Sequence, residues 1–222
     1  MKKMLMMVAI AVCCMAANAQ NEVGQLTLQP KAGFNVASLT GAEVQTGSTT
    51  ESASMKLGFV IGAEAEYGIS QNFSLAAGVL YSMQGCDFGE YKTFATVNGQ
   101  DYESGWSKNQ NNYAYLNIPI VANYYLAPGF AIKAGIQPGF LLSAKNKMDG
   151  IGITPSETID FKKDLNSFDL SIPLGLSYET EHMVIDGRYN LGLTKLNKES
   201  GDGVKDIKNS VIQVTIGYKF AL

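Results

Sequence analysis

From Met55 the chain reads MKLGFVIGAEAEYGI. Leu57, Phe59, Ile61, Ala63, Ala65 and Tyr67 share one parity, and Lys56, Gly58, Gly62, Glu64 and Glu66 share the other. Alternation at period two marks a strand with two chemically different faces. The same pattern returns in Phe73, Leu75, Ala77, Val79, Tyr81 and Met83, then in Leu116, Ile118, Ile120, Ala122 and Tyr124. It continues in Phe130, Ile132, Ala134, Ile136, Pro138 and Phe140, and in Phe168, Leu170, Ile172, Leu174, Leu176 and Tyr178. Met183, Ile185, Tyr189, Leu191 and Leu193 follow, and Ile212, Val214, Ile216, Tyr218 and Phe220 come last. A weaker first stripe over Leu26 to Leu39 offers Leu28, Ala32, Phe34 and Val36. The chain thus contains eight predicted strands, each near the roughly 9–11 residues that cross a bilayer at a tilt.

The opposite parity carries Gly33, Gly58, Gly62, Gly78, Gly135, Gly139, Gly175, Gly192 and Gly217, with serines, amides and charged residues. A soluble sandwich would turn its bulky apolar residues inward, whereas a small and polar set suits the interior of a narrow eight-stranded barrel. Frayed strand ends and bulges explain some of these glycines but not their shared parity. The pattern predicts an all-β fold, an eight-stranded antiparallel up-and-down transmembrane β-barrel.

The connections alternate. Gly68-Ile69-Ser70-Gln71-Asn72, Leu126-Ala127-Pro128-Gly129 and Glu179-Thr180-Glu181-His182 are short, while 40–54, 85–112, 144–167 and 195–209 are long and polar. Short turns on the periplasmic side and long loops outside are the outer-membrane arrangement, with both termini periplasmic. Tyr67, Phe73, Tyr124, Tyr125, Phe130, Tyr178, Tyr218 and Phe220 flank the short turns and are expected to form the periplasmic aromatic girdle. Pro119, Pro138 and Pro173 fall inside predicted strands, where a missing N–H predicts local bulges.

The N-terminus, MKKMLMMVAIAVCCMAANAQ, has a charged head, a short apolar run and a small-x-small site at Ala17-Asn18-Ala19. It is expected to be a signal peptide over residues 1–19, leaving residues 20–222 as the barrel domain. Lipidation is not expected, because Val12 or Cys13 would precede the modified cysteine where a small residue is needed. Cleavage removes Cys13 and Cys14 and leaves Cys86 alone, so no internal disulfide forms. It also removes Lys2 and Lys3 from a chain of formal charge −3, and no basic patch points to nucleic acid. No later stretch is apolar for the length of a membrane helix, so an exported spanning chain must cross as a closed sheet.

Four segments carry a family likeness: Lys31-Ala32-Gly33-Phe34-Asn35, Tyr115-Leu116-Asn117-Ile118-Pro119, Phe168-Asp169-Leu170 with Gly175, and Arg188-Tyr189-Asn190-Leu191-Gly192-Leu193. In these the chain resembles the Bacteroidetes outer-membrane β-barrel group called PorT-like or "porin family" proteins, over essentially the whole mature length. The resemblance implies an eight-stranded outer-membrane barrel of a Gram-negative cell envelope without an assigned substrate. The namesake takes part in protein secretion across the outer membrane. The chain departs from many outer-membrane barrels in ending on Phe220-Ala221-Leu222 rather than directly on an aromatic.

No enzymatic chemistry is expected. The single histidine, His182, falls in a short turn beside Glu179 and Glu181 with no nucleophile in view, and Cys86 lacks a base or a second cysteine. The acidic residues lack the spacing of a calcium loop, and one His with one Cys makes no structural zinc site, so neither metal nor cofactor is expected. Glu64, Glu66, Glu179 and Asp186 point inward near the short turns, as do Lys31, Lys133, Arg188 and Lys219. Four acids facing four bases predict either a paired network plugging the lumen or a proton or ion path along the same residues. Tyr91, Phe94, Tyr102 and Trp106 lie in one long loop, where aromatics serve partner recognition or a local mini-core.

The expected partners are outer-membrane lipid, the barrel-assembly machinery and an extracellular or secretion-machine protein. The leading functional expectation is a barrel that works through its outer loops in binding, adhesion or envelope organisation. A component of a secretion or assembly machine and a narrow porin-like channel are the alternatives, and a barrel enzyme comes last.

Overall fold

The computed structural model describes residues 23–46, 49–97, 100–150, 153–198 and 205–222, so the expected signal segment 1–19 lies outside the described residues. The barrel strands are β1 (Leu26–Thr40), β2 (Ser54–Ser70), β3 (Phe73–Val97) and β4, which runs Gln100–Asn117 and continues as Ile120–Ala127. They are followed by β5 (Phe130–Gly150), β6 (Phe168–Glu179), β7 (Met183–Gly192) and β8 (Lys208–Tyr218), which is extended by Phe220–Ala221. Each strand pairs antiparallel with its neighbours in sequence, and β8 closes on β1 from Lys31 opposite Gly217 to Thr40 opposite Lys208. Closure gives every wall strand a partner on both sides, the condition for crossing a hydrocarbon layer as sheet.

Period two separates the faces as the sequence predicts. Phe34, Phe59, Ile61, Val79, Ile136, Leu174, Ile185 and Val214 stand outward with 43 % to 65 % exposure. That surface is too apolar and too continuous for water, and lipid is its natural solvent. The inward glycines mark places where adjacent backbones press together. A Cβ on Gly33 would lie 1.9 Å from the Val214 carbonyl oxygen, and one on Gly62 would lie 2.1 Å from that of Val79. This close approach, not loose strand ends, accounts for their parity.

The prolines do not produce bulges. Around Pro119 the pairing runs from Ala77 opposite Ile120 to Leu80 opposite Asn117 without a change of register. Pro138 stays opposite Leu170, and Pro173 stays opposite Asn190. In an antiparallel ladder the N–H and C=O of one residue face the same neighbour, so a proline removes a single bond and leaves the other side intact. At Pro119 the C=O still accepts from the Gly78 N–H at 3.1 Å.

Two further expectations are corrected at the mouth opposite the short turns. Segments 85–112 and 144–160 are not irregular loops but continuations of the wall. β3 and β4 stay paired out to Val97 opposite Gln100, β4 and β5 out to Ser107 opposite Gly150, and β5 then pairs with Ile153–Asp160. The result is a four-stranded sheet projecting beyond the apolar band. The interior is also not small and polar along its whole length. At this mouth Leu39, Ala42, Cys86, Tyr113, Tyr115, Leu141, Ala144, Leu165 and Leu196 form a buried apolar cluster, drawn partly from connecting segments.

The close approach at Gly33 generates a prediction. Gly33→Ala forces neighbouring backbone apart and is expected to destabilise the barrel by about 1–3 kcal/mol. Gly187→Ala, whose added Cβ meets nothing within 4 Å, is expected to stay within about 0.5 kcal/mol of the parent. Urea unfolding in lipid vesicles, followed by the gel-mobility shift of folded barrel, measures both.

Candidate functional site

The eight inward charges meet in one layer near the short turns. Arg188 on β7 donates to both Glu64 oxygens, Nη1 to Oε1 at 2.7 Å and Nη2 to Oε2 at 2.8 Å. The same guanidinium donates from Nε and Nη2 to Asp186 at 2.7 and 2.8 Å, so one arginine bridges two carboxylates with its planar fork. Lys31 on β1 donates to Glu64 at 2.7 Å and stands 3.9 Å from Asp186. Lys133 on β5 donates to Asp186 at 2.9 Å and lies 3.6 Å from Glu179 on β6. Lys219 on β8 bonds Glu179 and lies 3.7 Å from Glu66 on β2. All eight side chains are buried, and four positive charges face four negative ones.

Neutral donors complete the layer. Gln29 and Ser74 each donate to Glu66, and Ser177 donates to Glu179 at 3.1 Å. The Tyr125 hydroxyl lies 2.6 Å from Glu66 and 3.0 Å from Glu179. Tyr125 is therefore not a girdle residue. It is 5 % exposed and points into the lumen, as its parity opposite Tyr124 requires. Tyr67, Tyr124, Tyr218 and Phe220 do stand outward beside the short turns. With Ser74 from β3 and Tyr125 from β4, every wall strand contributes to the layer.

Above it lie uncharged amides. Asn35 donates to the Ser82 hydroxyl at 2.7 Å and to the Met83 carbonyl at 3.2 Å, reaching from β1 to β3 across the bare Gly58 of β2. Nearer the mouth, Asn209 donates to the Asp169 carboxylate at 2.9 Å and to the Tyr115 hydroxyl at 3.1 Å, and Thr194 donates to Asp169 at 2.6 Å. The apolar cluster caps these groups. Among the described residues the lumen is thus crossed by two packed layers, one ionic and one apolar.

The remaining candidate residues are dispersed. His182 is exposed in its short turn, 3.9 Å from Glu181 and tilted against Tyr218 at 5.5 Å, whereas Glu179 turns away into the lumen. Cys86 is fully buried beside Asn111, from which it accepts at 3.7 Å. Tyr102 and Trp106 stand exposed on the projecting sheet at 55 % and 41 %, so these two rings form no mini-core. The side chains of Tyr91 and Phe94 lie outside the described residues. No group of three or more metal-ligating side chains occurs among the described residues.

A family model described as "Outer membrane protein beta-barrel domain" matches residues 18–198. No curated protein sequence matches the chain. Among solved structures, the chain is similar to Ail, the attachment invasion locus protein of Yersinia pestis, at 14 % identity and TM-score 0.44, covering 90 % of this chain and 100 % of that one. Neisserial surface protein A is 15 % identical with TM-score 0.46, covering 88 % and 97 % of the two chains. OprG from Pseudomonas aeruginosa is 16 % identical with TM-score 0.36, covering 91 % and 98 %.

Two predictions come from this geometry. Arg188→Met strands Glu64 and Asp186 with fewer donors and is expected to cost about 3–5 kcal/mol. That loss would appear as a fall in the heat resistance of the folded band in detergent gels, and an unchanged band would deny the layer a structural role. Cys86 is expected to resist maleimide in the folded barrel and to react once the barrel is unfolded in denaturant, with mass spectrometry as the readout.

Proposed function

The chain belongs to the outer-membrane protein β-barrel domain family, and from that premise we propose that it is a non-enzymatic outer-membrane protein whose working surface is the projecting sheet. The short turns and both termini face the periplasm, and the long side of the barrel faces out. The observation that carries this reading is the sheet itself. It stands beyond the apolar band and presents Tyr102 and Trp106 to solvent. Beyond Asp87, the described ladder pairs of β3 are with β4 alone, so one strand edge keeps open N–H and C=O groups. An open edge beside exposed aromatics suits an extended polypeptide segment, which adds as a further strand and packs side chains against the rings. The partner class is therefore an extended protein segment at the cell surface.

The packed ionic and apolar layers support a plugged barrel over a narrow porin-like channel. The burial of Cys86 and the isolation of His182 from any nucleophile support a role without catalysis. A PorT-like place in a secretion machine is the second reading, and it would put the partner at the short turns.

A photo-crosslinking amino acid at position 106 or at position 182, in cells that make the protein, separates these readings. A discrete protein adduct from position 106, with none from position 182, is the expected result. Adducts from position 182 alone would reverse the assignment in favour of the periplasmic machine.

A further inference from the structure

Three prolines stand close together in the wall. Pro119 is on β4, Pro138 on β5 and Pro173 on β6, and these strands are neighbours. Asn117 opposite Gly139 and Ile120 opposite Ile136 bring Pro119 beside Gln137, which in turn sits opposite Ser171. Pro138 directly follows Gln137, and Pro173 comes shortly after Ser171.

At this level three consecutive ladders lapse. Pairing of β3 with β4 stops at Leu80 opposite Asn117 and resumes at Ala77 opposite Ile120. Pairing of β4 with β5 stops at Asn117 opposite Gly139 and resumes at Ile120 opposite Ile136. Pairing of β5 with β6 stops at Ser171 opposite Gln137 and resumes at Leu174 opposite Ala134. The Pro119 carbonyl accepts from the Gly78 N–H at 3.1 Å, and the Pro138 carbonyl accepts from the Ile118 N–H at 2.8 Å. The reciprocal bonds to the Gly78 and Ile118 carbonyls cannot form, because proline has no N–H to give.

The opposite half of the wall is continuous. β1 pairs with β2 unbroken from Leu26 opposite Tyr67 to Ala37 opposite Lys56, and β7 pairs with β8 from Met183 opposite Tyr218 to Leu191 opposite Ser210. On the proline side, β5 is anchored below the lapse and above it. Below, Lys133 donates to Asp186 and stands near Glu179, and above, Leu141 and Ala144 pack in the apolar cluster. Between these anchors Gly135 and Gly139 bring no side chain, and Gln137 meets Ser171 at 3.4 Å, near the long limit of a hydrogen bond.

We propose that the proline level of β4, β5 and β6 is a hinge on which the mouth and the projecting sheet tilt against the ionic base. β4 and β5 run through this level into the projecting sheet, so a bend there changes the angle of the sheet. The continuous ladders of β7, β8, β1 and β2 hold the other side fixed. The hinge acts whatever partner the sheet takes, and its test does not involve one.

The test uses the folded protein in lipid nanodiscs. Backbone exchange with deuterium, followed by nuclear magnetic resonance, is expected to be about tenfold faster at Gly78 and Ile118 than at Phe34 and Val214. Exchange at Gly78 and Ile118 that is no faster would overturn the proposal. Nitroxides on Trp106→Cys and His182→Cys, with Cys86 left unlabelled in its buried site, report the tilt as a distribution of distances. That distribution is expected to narrow when Pro119, Pro138 and Pro173 are all replaced by alanine, which restores the three donors. A folded triple variant with an unchanged distribution would also overturn the hinge, and if the variant does not fold the exchange rates of the parent decide.

Discussion

Eight charged side chains withdrawn from water at one level of a barrel fix much of what the rest of the structure can do. Taking an ion out of water costs several kcal/mol, and that cost is offset only where each charge is fully ligated by opposite charge and hydrogen bonds. The layer meets this condition as one connected path. Lys31 leads to Glu64, Glu64 to Arg188, Arg188 to Asp186, Asp186 to Lys133, and the path then runs through Glu179 and Lys219 to Glu66. Because Ser74 and Tyr125 bring in the two remaining strands, a one-residue slip of any strand would turn a member of the layer away from its partners and towards lipid.

The mouth is built on different physics. There the inward face is filled by Tyr113, Tyr115, Leu141 and the residues Leu165 and Leu196 that fold over from connections. Apolar filling suits a level where connecting segments can close over the lumen and exclude water. The projecting sheet springs from this packed mouth, so its strands start from a rigid base, with Phe88 and Phe161 packed against the same cluster. Recognition surfaces on rigid supports lose less entropy on binding than mobile loops do.

Strand parity was plain in the sequence because a wall between lipid and lumen leaves a direct two-residue trace. The ionic layer was legible for the same reason. Its members share inward parity and lie within a few residues of the short turns or chain ends. Tyr125 was misplaced because aromatic residues near a turn suggest an interface, although the parity set by Leu116 to Tyr124 already turned it inward. The prolines misled through a general depletion rule that overlooks which neighbour each antiparallel residue faces. Two features left no local trace. The projecting part of the sheet exposes Glu90, Lys92, Tyr102, Glu103 and Trp106, and its polar composition read as loop. The apolar cluster draws Ala42, Leu165 and Leu196 from separate connections, and only the folded chain shows that these meet.

The orientation of the apolar stripe underlies all of this, and tryptophan fluorescence reads it most directly. With Trp106→Phe removing the native indole, a single Ile61→Trp or Val214→Trp reports the surroundings of the outer wall. In vesicles carrying bromine on the acyl chains, the account predicts blue-shifted emission that is strongly quenched at both positions. Emission that bromine leaves untouched, from protein that is folded, would place those side chains in a protein core and contradict the barrel described here.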